Sequence, residues 1–458
     1  MQWKFVIDII IICVSLFIAT ILRANVGFLQ RFLVPNAITA GFIGLCFVYL
    51  AEKFIPGMMP SRELLGNVVY HLLAITFISI ALKKRERYIE RNSLTTAFHL
   101  TLGYAVEGFI GYSLTLLLLF TIMPEIFPTF GMLFAIGFGQ SSGQAYALGK
   151  QWEAFGFEHG GTVGLTFGAI GFLWSCFVGI PFLNWGVRKG YVKNIDTSVL
   201  RNRGFLGKGV VRAPTGRGTT HPDVISSGAF HLSFVGSVYL VDYFLIKLLV
   251  FLLNKMGGEF AIQFGNVLWA YHAFFATLLA LVIGKILDSL KIHHILDDDM
   301  LTSISASSVD FLVTAAIMAI EIVVIVRYAI PIAIISLVGG ILIMIMILNL
   351  ARRSFRDYFF ERVISMFGLL TGTVSTGLAL LRVIDPEFKT PAASDLVLGS
   401  GFSLFIGFPL LLLINIPVLH QTQKVFILTD AGILGYIILL FFLMLSLKLM
   451  GLKKHILR

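Results

Sequence analysis

The stretch Phe130-Gly-Met-Leu-Phe-Ala-Ile-Gly-Phe-Gly-Gln-Ser-Ser-Gly-Gln-Ala-Tyr-Ala-Leu-Gly-Lys150 carries the decisive reading. It begins as apolar as a transmembrane helix, yet Gly137, Gly139 and Gly143 bracket Gln140, Ser141 and Ser142 at its centre. Hydrocarbon tolerates no lipid-facing backbone outside a helix, so such a segment must line a cavity or lie buried in protein. Glycine lets the chain turn there. The freed amides and hydroxyls of Gln140, Ser141, Ser142, Gly143 and Gln144 can then hold an anionic group at a helix N-terminus. A second stretch, Gly368-Leu-Leu-Thr-Gly-Thr-Val-Ser-Thr-Gly-Leu-Ala-Leu-Leu-Arg382, offers hydroxyls from Thr371, Thr373, Ser375 and Thr376, with freedom at Gly372 and Gly377. Each stretch alone reads equally well as an ordinary helix with small residues for close packing. As a pair at matching positions in the chain, they point to a binding site.

Outward from these stretches, composition sets the class. The 458 residues are 57% hydrophobic and only 13% charged, with mean hydropathy +0.90. Soluble domains carry about 25% charged residues. The deficit excludes a nucleic-acid-binding domain despite the net charge of +10, excludes disorder, and argues against a soluble enzyme. The chain is expected to be an all-α polytopic membrane protein whose basic excess reports topology.

A hydrocarbon core about 30 Å thick needs about 20 apolar residues per helix. Runs of that kind are expected at 5–22, 33–50, 68–82, 94–123 and 162–183, then at 229–253, 264–287, 303–326, 331–350, 396–419 and 425–447. The first lacks the basic n-region and cleavage site of a signal peptide. The irregular stretches, 130–150 and 361–382, precede the fifth and tenth runs. Two halves of like order follow: 1–185 and 229–420, each with five helices and one re-entrant or broken segment. A basic linker, 186–228, separates them, and 421–458 adds a C-terminal helix. Ser142-Gly-Gln-Ala145 and Thr376-Gly-Leu-Ala379 echo one another across the halves.

Charge then sets orientation. With the N-terminus outside and each irregular stretch returning to its own side, 25 of the 35 basic residues fall inside, eight of them in the linker. Six fall outside. Positive-inside therefore favours an external N-terminus and a cytoplasmic C-terminus. An odd number of crossings per half makes the two halves inverted repeats, a transporter architecture.

Isolated ionisable residues in apolar runs are Glu107, Asp242, Lys247, Asp310 and Glu321. Unpaired charge there is expensive. Asp242 and Lys247 are expected to pair with each other or with another helix, and Glu321, the deepest by sequence, is a candidate proton or cation site. His71, His99 and His231 read as packed or interfacial residues, and Asp297-Asp-Asp299 as a helix cap. Cys13, Cys46 and Cys176 read as small buried hydrophobes. There is no His-Glu-x-x-His and no phosphate-binding P-loop, so a primary pump is not expected.

The segment Gly27-Phe-Leu-Gln-Arg-Phe-Leu-Val-Pro-Asn-Ala-Ile-Thr-Ala-Gly-Phe-Ile-Gly44 resembles the second-helix entry of bacterial sodium/glutamate symporters. Residues 137–157, then Thr166-Phe-Gly-Ala-Ile-Gly-Phe172 and Gly179-Ile-Pro181, resemble that family's glycine-rich signature in position and order. Phe367-Gly-Leu-Leu-Thr-Gly-Thr-Val-Ser-Thr-Gly377 lies where the family has its second signature. The resemblance covers residues 1 to about 420 in architecture. It implies an elevator-type homodimer that carries glutamate with sodium, as coupling ion, across the bacterial inner membrane. The chain departs from the family pattern at Phe138, Gln140 and Thr373-Val-Ser-Thr376.

The reading that follows is a secondary transporter, not an enzyme, for glutamate or a related small carboxylate, with no cofactor beyond the ion. Its expected substrate residues are Gln140, Ser141, Ser142, Gly143 and Gln144 with Thr371, Gly372, Thr373, Ser375 and Thr376; no cation ligand can be named. The alternatives are a membrane-embedded enzyme acting on lipid and a non-transporting receptor or scaffold that docks a partner on its linker.

Overall fold

A computed structural model describes residues 2–32, 34–54, 60–84, 91–192, 225–256, 265, 268–385 and 390–451. Most of the basic linker, 193–224, lies outside the described residues. Those described are helical, with no strand among them. The helices are α1 (Gln2–Asn25), α2 (Gly27–Arg31), α3 (Asn36–Phe54), α4 (Arg62–Ala81), α5 (Arg91–Thr121), α6 (Met132–Gly137), α7 (Ser142–Glu153), α8 (Gly160–Phe177) and α9 (Gly179–Arg188). The chain continues with α10 (Ser227–Met256), α11 (His272–Ser289), α12 (Asp298–Met318), α13 (Ile322–Arg327), α14 (Ala329–Ser354), α15 (Phe359–Leu370), α16 (Val374–Ile384), α17 (Ala392–Leu413) and α18 (Ile416–Leu419). The last of the described helices is α19 (Gln423–Ser446). Among the described residues ten helical spans are long and apolar enough to cross a bilayer, and α3 adds a shorter apolar helix over Asn36–Leu50. The chain has the build of a polytopic membrane protein.

Two expected runs break where polar chemistry competes with the helix. The run 303–326 is interrupted: α12 ends at Met318, and Glu321 takes extended backbone (φ −90°, ψ 107°) before α13. Its carboxylate accepts from Thr162 Oγ1 at 3.3 Å and lies 3.4 Å from His159 Nδ1. Glu321 is thus a half-buried cap between helices, not a deep charge. The run 162–183 is interrupted at Val178, just before Pro181, whose ring nitrogen has no hydrogen to donate.

The chain divides into two compact units, and each draws segments from both the earlier and the later part of the sequence. Unit 1 holds the start of α1, most of α3, and α4, α10, α11 and α12. Its apolar core includes Ala74, Ile78, Val235, Val238, Ala276 and Ala280. Its histidines tie helices together. His272 Nε2 meets the Tyr70 carbonyl at 2.8 Å, His293 Nε2 the Leu82 carbonyl at 2.9 Å, and the Asp297 amide donates to His231 Nε2 at 2.8 Å. Asp297 also caps α12, its Oδ1 accepting from the Met300 amide at 2.8 Å. Replacing Asp297 by Ala should cost about 1 kcal/mol through the lost cap, read as a lower thermal midpoint in detergent. Asp242 and Lys247 do not pair: Asp242 is fully buried, while Lys247 is exposed and lies over the Tyr243 ring at 5.8 Å. Asp310 is exposed. Of the cysteines only Cys176 is buried; Cys13 and Cys46 are exposed on apolar helices, where a bilayer would cover them.

Unit 2 holds α5 to α9 and α13 to α19. The helices α6 and α7 form a hairpin with its turn at 138–141, and α15 and α16 form another with its turn at 371–373. Phe127 stacks on Phe157 at 4.6 Å at the base of the first hairpin. The 368–377 pairing fixes the second: a Cβ built on Gly368 falls 2.7 Å from the Gly377 Cα. Every residue of α6 and α15 is buried, so the inward arms of both hairpins are enclosed in protein.

The two hairpins enter unit 2 from opposite ends. At one end the first hairpin's base meets α18 and α19: Trp152 Nε1 donates to Asn415 Oδ1 at 2.9 Å, and Gln421 Nε2 to the Phe155 carbonyl at 2.8 Å. At the other end Arg362, in the first turn of α15, donates to Asp395 at the start of α17 (Nε–Oδ2 2.8 Å). That end also has a cavity of about 410 Å³ lined by Arg91, Arg353, Arg356 and Lys448. The charge count assigns these four residues, from three separate segments, to one side of the membrane, and the structure gathers them around one opening.

Candidate functional site

The packing of α7 on α8 comes first, because it sets the depth of the first turn. Gly160, Gly164 and Gly168 form a small-residue stripe on α8 that lets α7 lie against it at backbone distance. A Cβ built on Gly168 falls 2.5 Å from the Ser142 Cβ. The next turn of α8 brings both hairpins together. A Cβ on Gly171 would stand 2.9 Å from the Phe138 carbonyl oxygen and 3.0 Å from the Thr371 carbonyl oxygen. Both turns therefore seat on one glycine, near the middle of the Gly160–Arg188 span. That span is the more deeply packed, whereas Gln423–Ser446 leaves most of its residues uncovered. Gly372 follows against Phe172, where a Cβ would lie 3.2 Å from the ring.

The same turns also flank α5. A Cβ on Gly103 would meet Leu370, the last residue of α15, at 2.6 Å, and one on Gly139 would run into the Glu107 carboxyl. Gly103 and Glu107 are one helical turn apart, so α5 and α8 each touch both hairpin turns.

The expected substrate residues divide by what their polar atoms already do. Ser141 Oγ accepts from the Gly143 amide at 3.2 Å, capping α7. Ser142 is 2% exposed, and its hydroxyl has no partner. Gln144 is buried and Gln140 half-buried. In the second turn Thr371 is fully buried and returns its hydroxyl to the Phe367 carbonyl at 2.8 Å. Thr373 and Thr376 share a hydrogen bond at 3.2 Å. Ser375 is exposed. Ser142 thus packs against Gly168 and Thr371 against Gly171 one turn along α8, while Thr373 and Thr376 bond each other within the second hairpin.

Two further groups belong to this neighbourhood. Ser175, one turn beyond Gly171, is fully buried with an unpartnered hydroxyl. Glu107 is fully buried, with neither carboxyl oxygen hydrogen-bonded. Glu107 is visible in the sequence as an isolated acid in an apolar run. Ser175 carries no such signal, since a serine in a transmembrane helix usually bonds its own backbone.

Gly139-Gln-Ser-Ser-Gly143 also has the Gly-x-Ser-x-Gly spacing of a hydrolase nucleophile elbow. That motif needs a strand-to-helix turn with its serine free, whereas here helices flank the turn and Ser141 is spent on the cap. The neighbourhood comprises two hairpin turns, a helix N-terminus at Ser142 and a few buried hydroxyls, with carbonyls converging on Gly171. No protein-family model matches the chain, and a search of curated proteins finds no match either.

Proposed function

We propose that this protein is a sodium-coupled secondary transporter for glutamate or a related small carboxylate, working by elevator-type alternating access in a bacterial inner membrane as a homodimer. The observation that carries the proposal is the meeting of two oppositely entering hairpin turns on Gly171. Half-helix ends that meet near the middle of a bundle supply positive dipole ends for a carboxylate and freed carbonyls for a cation. In this reading the α7 N-terminus with Ser142 and Thr376 takes the substrate carboxylate, and the Phe138 and Thr371 carbonyls contribute to the sodium site. The two halves are inverted repeats, and unit 2, which contains both hairpins, is the moving body. Symport requires that sodium and substrate each tighten the binding of the other.

The test is uptake of radiolabelled glutamate into proteoliposomes. Accumulation under an inward sodium gradient, lost when the gradient is collapsed, is the expected result. Ser142→Ala and Thr376→Ala should each lower apparent affinity while the protein keeps its thermal midpoint. Uptake indifferent to sodium, or absent for every small carboxylate tried, would refute the assignment.

A further inference from the structure

Glu107 is a chemical anomaly. Its carboxyl lies midway along α5, fully buried, with no hydrogen-bond partner on either oxygen. The elements packed around it offer no compensating charge. α6 has no titratable side chain; the basic residues of α14, Arg352 and Arg353, lie in its last turn; and Glu361 and Arg362 lie in the first turn of α15. Asp395 lies in the first turn of α17 and is paired with Arg362. On α19, Asp430 accepts from Ser113 Oγ, Tyr436 donates its hydroxyl to the Ile406 carbonyl, and Lys424 lies at the exposed start of the helix. Tyr104, the titratable neighbour on α5 itself, is also buried. An ionised carboxylate left without a partner in such surroundings is expensive, so this geometry accommodates the neutral acid. What presses on the carboxyl is Gly139, in the turn of the first hairpin.

We propose that Glu107 carries a proton through the transport cycle, holding it while the first hairpin turn is seated and releasing it when that contact opens to water. The inference rests on the transport reading above and adds a second coupling ion to it. The step is a proton transfer alone. The carboxyl O–H bond breaks on release, the proton passes to water on the side then open, and the carboxylate is hydrated until it is reprotonated and reburied. Gly139 makes the coupling steric, because any side chain at that position would hold the turn away from the acid.

Two arms test this. In proteoliposomes with equal sodium on both sides, one unit of inward pH gradient allows at most about tenfold accumulation per proton carried. Wild-type protein should concentrate radiolabelled glutamate toward that ceiling, and Glu107→Gln should not exceed equilibrium. An equal response of both proteins overturns the proposal, as does sodium-driven uptake by wild type that ignores the pH gradient. The second arm is infrared spectroscopy of ligand-free protein. A protonated-carboxyl band at neutral pH, absent from E107Q, supports the proposal, and no difference overturns it. If wild type transports no glutamate at all, the transport assignment has failed, and the infrared arm still decides the state of Glu107. Should E107Q fail to fold, Glu107→Asp replaces it in that arm, where a shifted band is expected and an unshifted one is fatal to the idea. Glu107→Leu guards against a structural role: it should raise the thermal midpoint, since a buried acid kept for function is a stability liability.

Discussion

Replacing Arg362 by Ala should lower folding stability by about 3–5 kcal/mol, among the largest losses a single substitution in this chain can produce. The side chains of Arg362 and Asp395 are 2% and 1% exposed. Arg362 Nη2 and Nε approach Asp395 Oδ2 at 2.7 and 2.8 Å, and Ser93 Oγ donates to Oδ1 at 2.7 Å. The Arg362 Nη1 group also bonds the Asp357 carbonyl. Removing the arginine leaves a buried carboxylate with one hydroxyl for company. The whole base of the second hairpin, where α15 is tied to α17 and α5, loses its tie. Thermal unfolding in detergent, followed by tryptophan fluorescence, reads the loss directly. The double variant Arg362→Met with Asp395→Leu should recover most of it, because an apolar pair of similar volume removes the uncompensated charge. A single Ala variant that melts with wild type would mean the pair is solvated and the hairpin base is held some other way.

The second large effect belongs to Gly171. Replacing it by Val should abolish or nearly abolish uptake, because the first carbon of the side chain already meets carbonyl oxygens of both turns. Those oxygens are backbone and cannot rotate aside, so at least one hairpin must lift. Overpacking of this kind costs about 1–3 kcal/mol. If that cost falls on the bound state, substrate affinity drops by roughly five- to 150-fold. Gly236 on α10 is the control, since nothing lies within 4 Å of a Cβ built there; Gly236→Ala should transport as wild type. Thermal midpoints measured on the same samples separate a displaced turn from a damaged fold. Normal uptake by Gly171→Val would show that the seating of the turns plays no part in transport.

Much of this architecture is legible in the sequence because a bilayer imposes it residue by residue. The hairpins announce themselves at Gly137–Gly143 and Gly368–Gly377, since glycine and clustered hydroxyls have no cheaper explanation inside an apolar run. The cap at Asp297 reads for the same local reason. The break at Glu321 does not read, because Met318-Ala-Ile-Glu-Ile-Val-Val324 is apolar on both sides; the residues that draw the carboxylate out of the helix, His159 and Thr162, lie some 160 positions earlier. Arg362 counts in the sequence as one more basic residue on the inner side. In the fold it is among the most deeply buried side chains, and its partner Asp395 carries no sequence signal. The paired reading of Asp242 and Lys247 fails similarly: residues five apart in the chain need not face each other on a helix.

What the sequence determined by itself is an all-helical chain of many long apolar helices and the two glycine- and hydroxyl-rich interruptions. Each follows from a transfer cost that every residue meets in its own short window, whatever the rest of the chain does. Only the tertiary structure decided that the two turns meet on Gly171, that Glu107 lies against the first of them, and that Ser375 is exposed. A hydropathy window cannot distinguish an apolar neighbour in lipid from one in protein. Which polar group ends up facing which is set by packing between elements far apart in the chain, and that packing is where the proposed site is made.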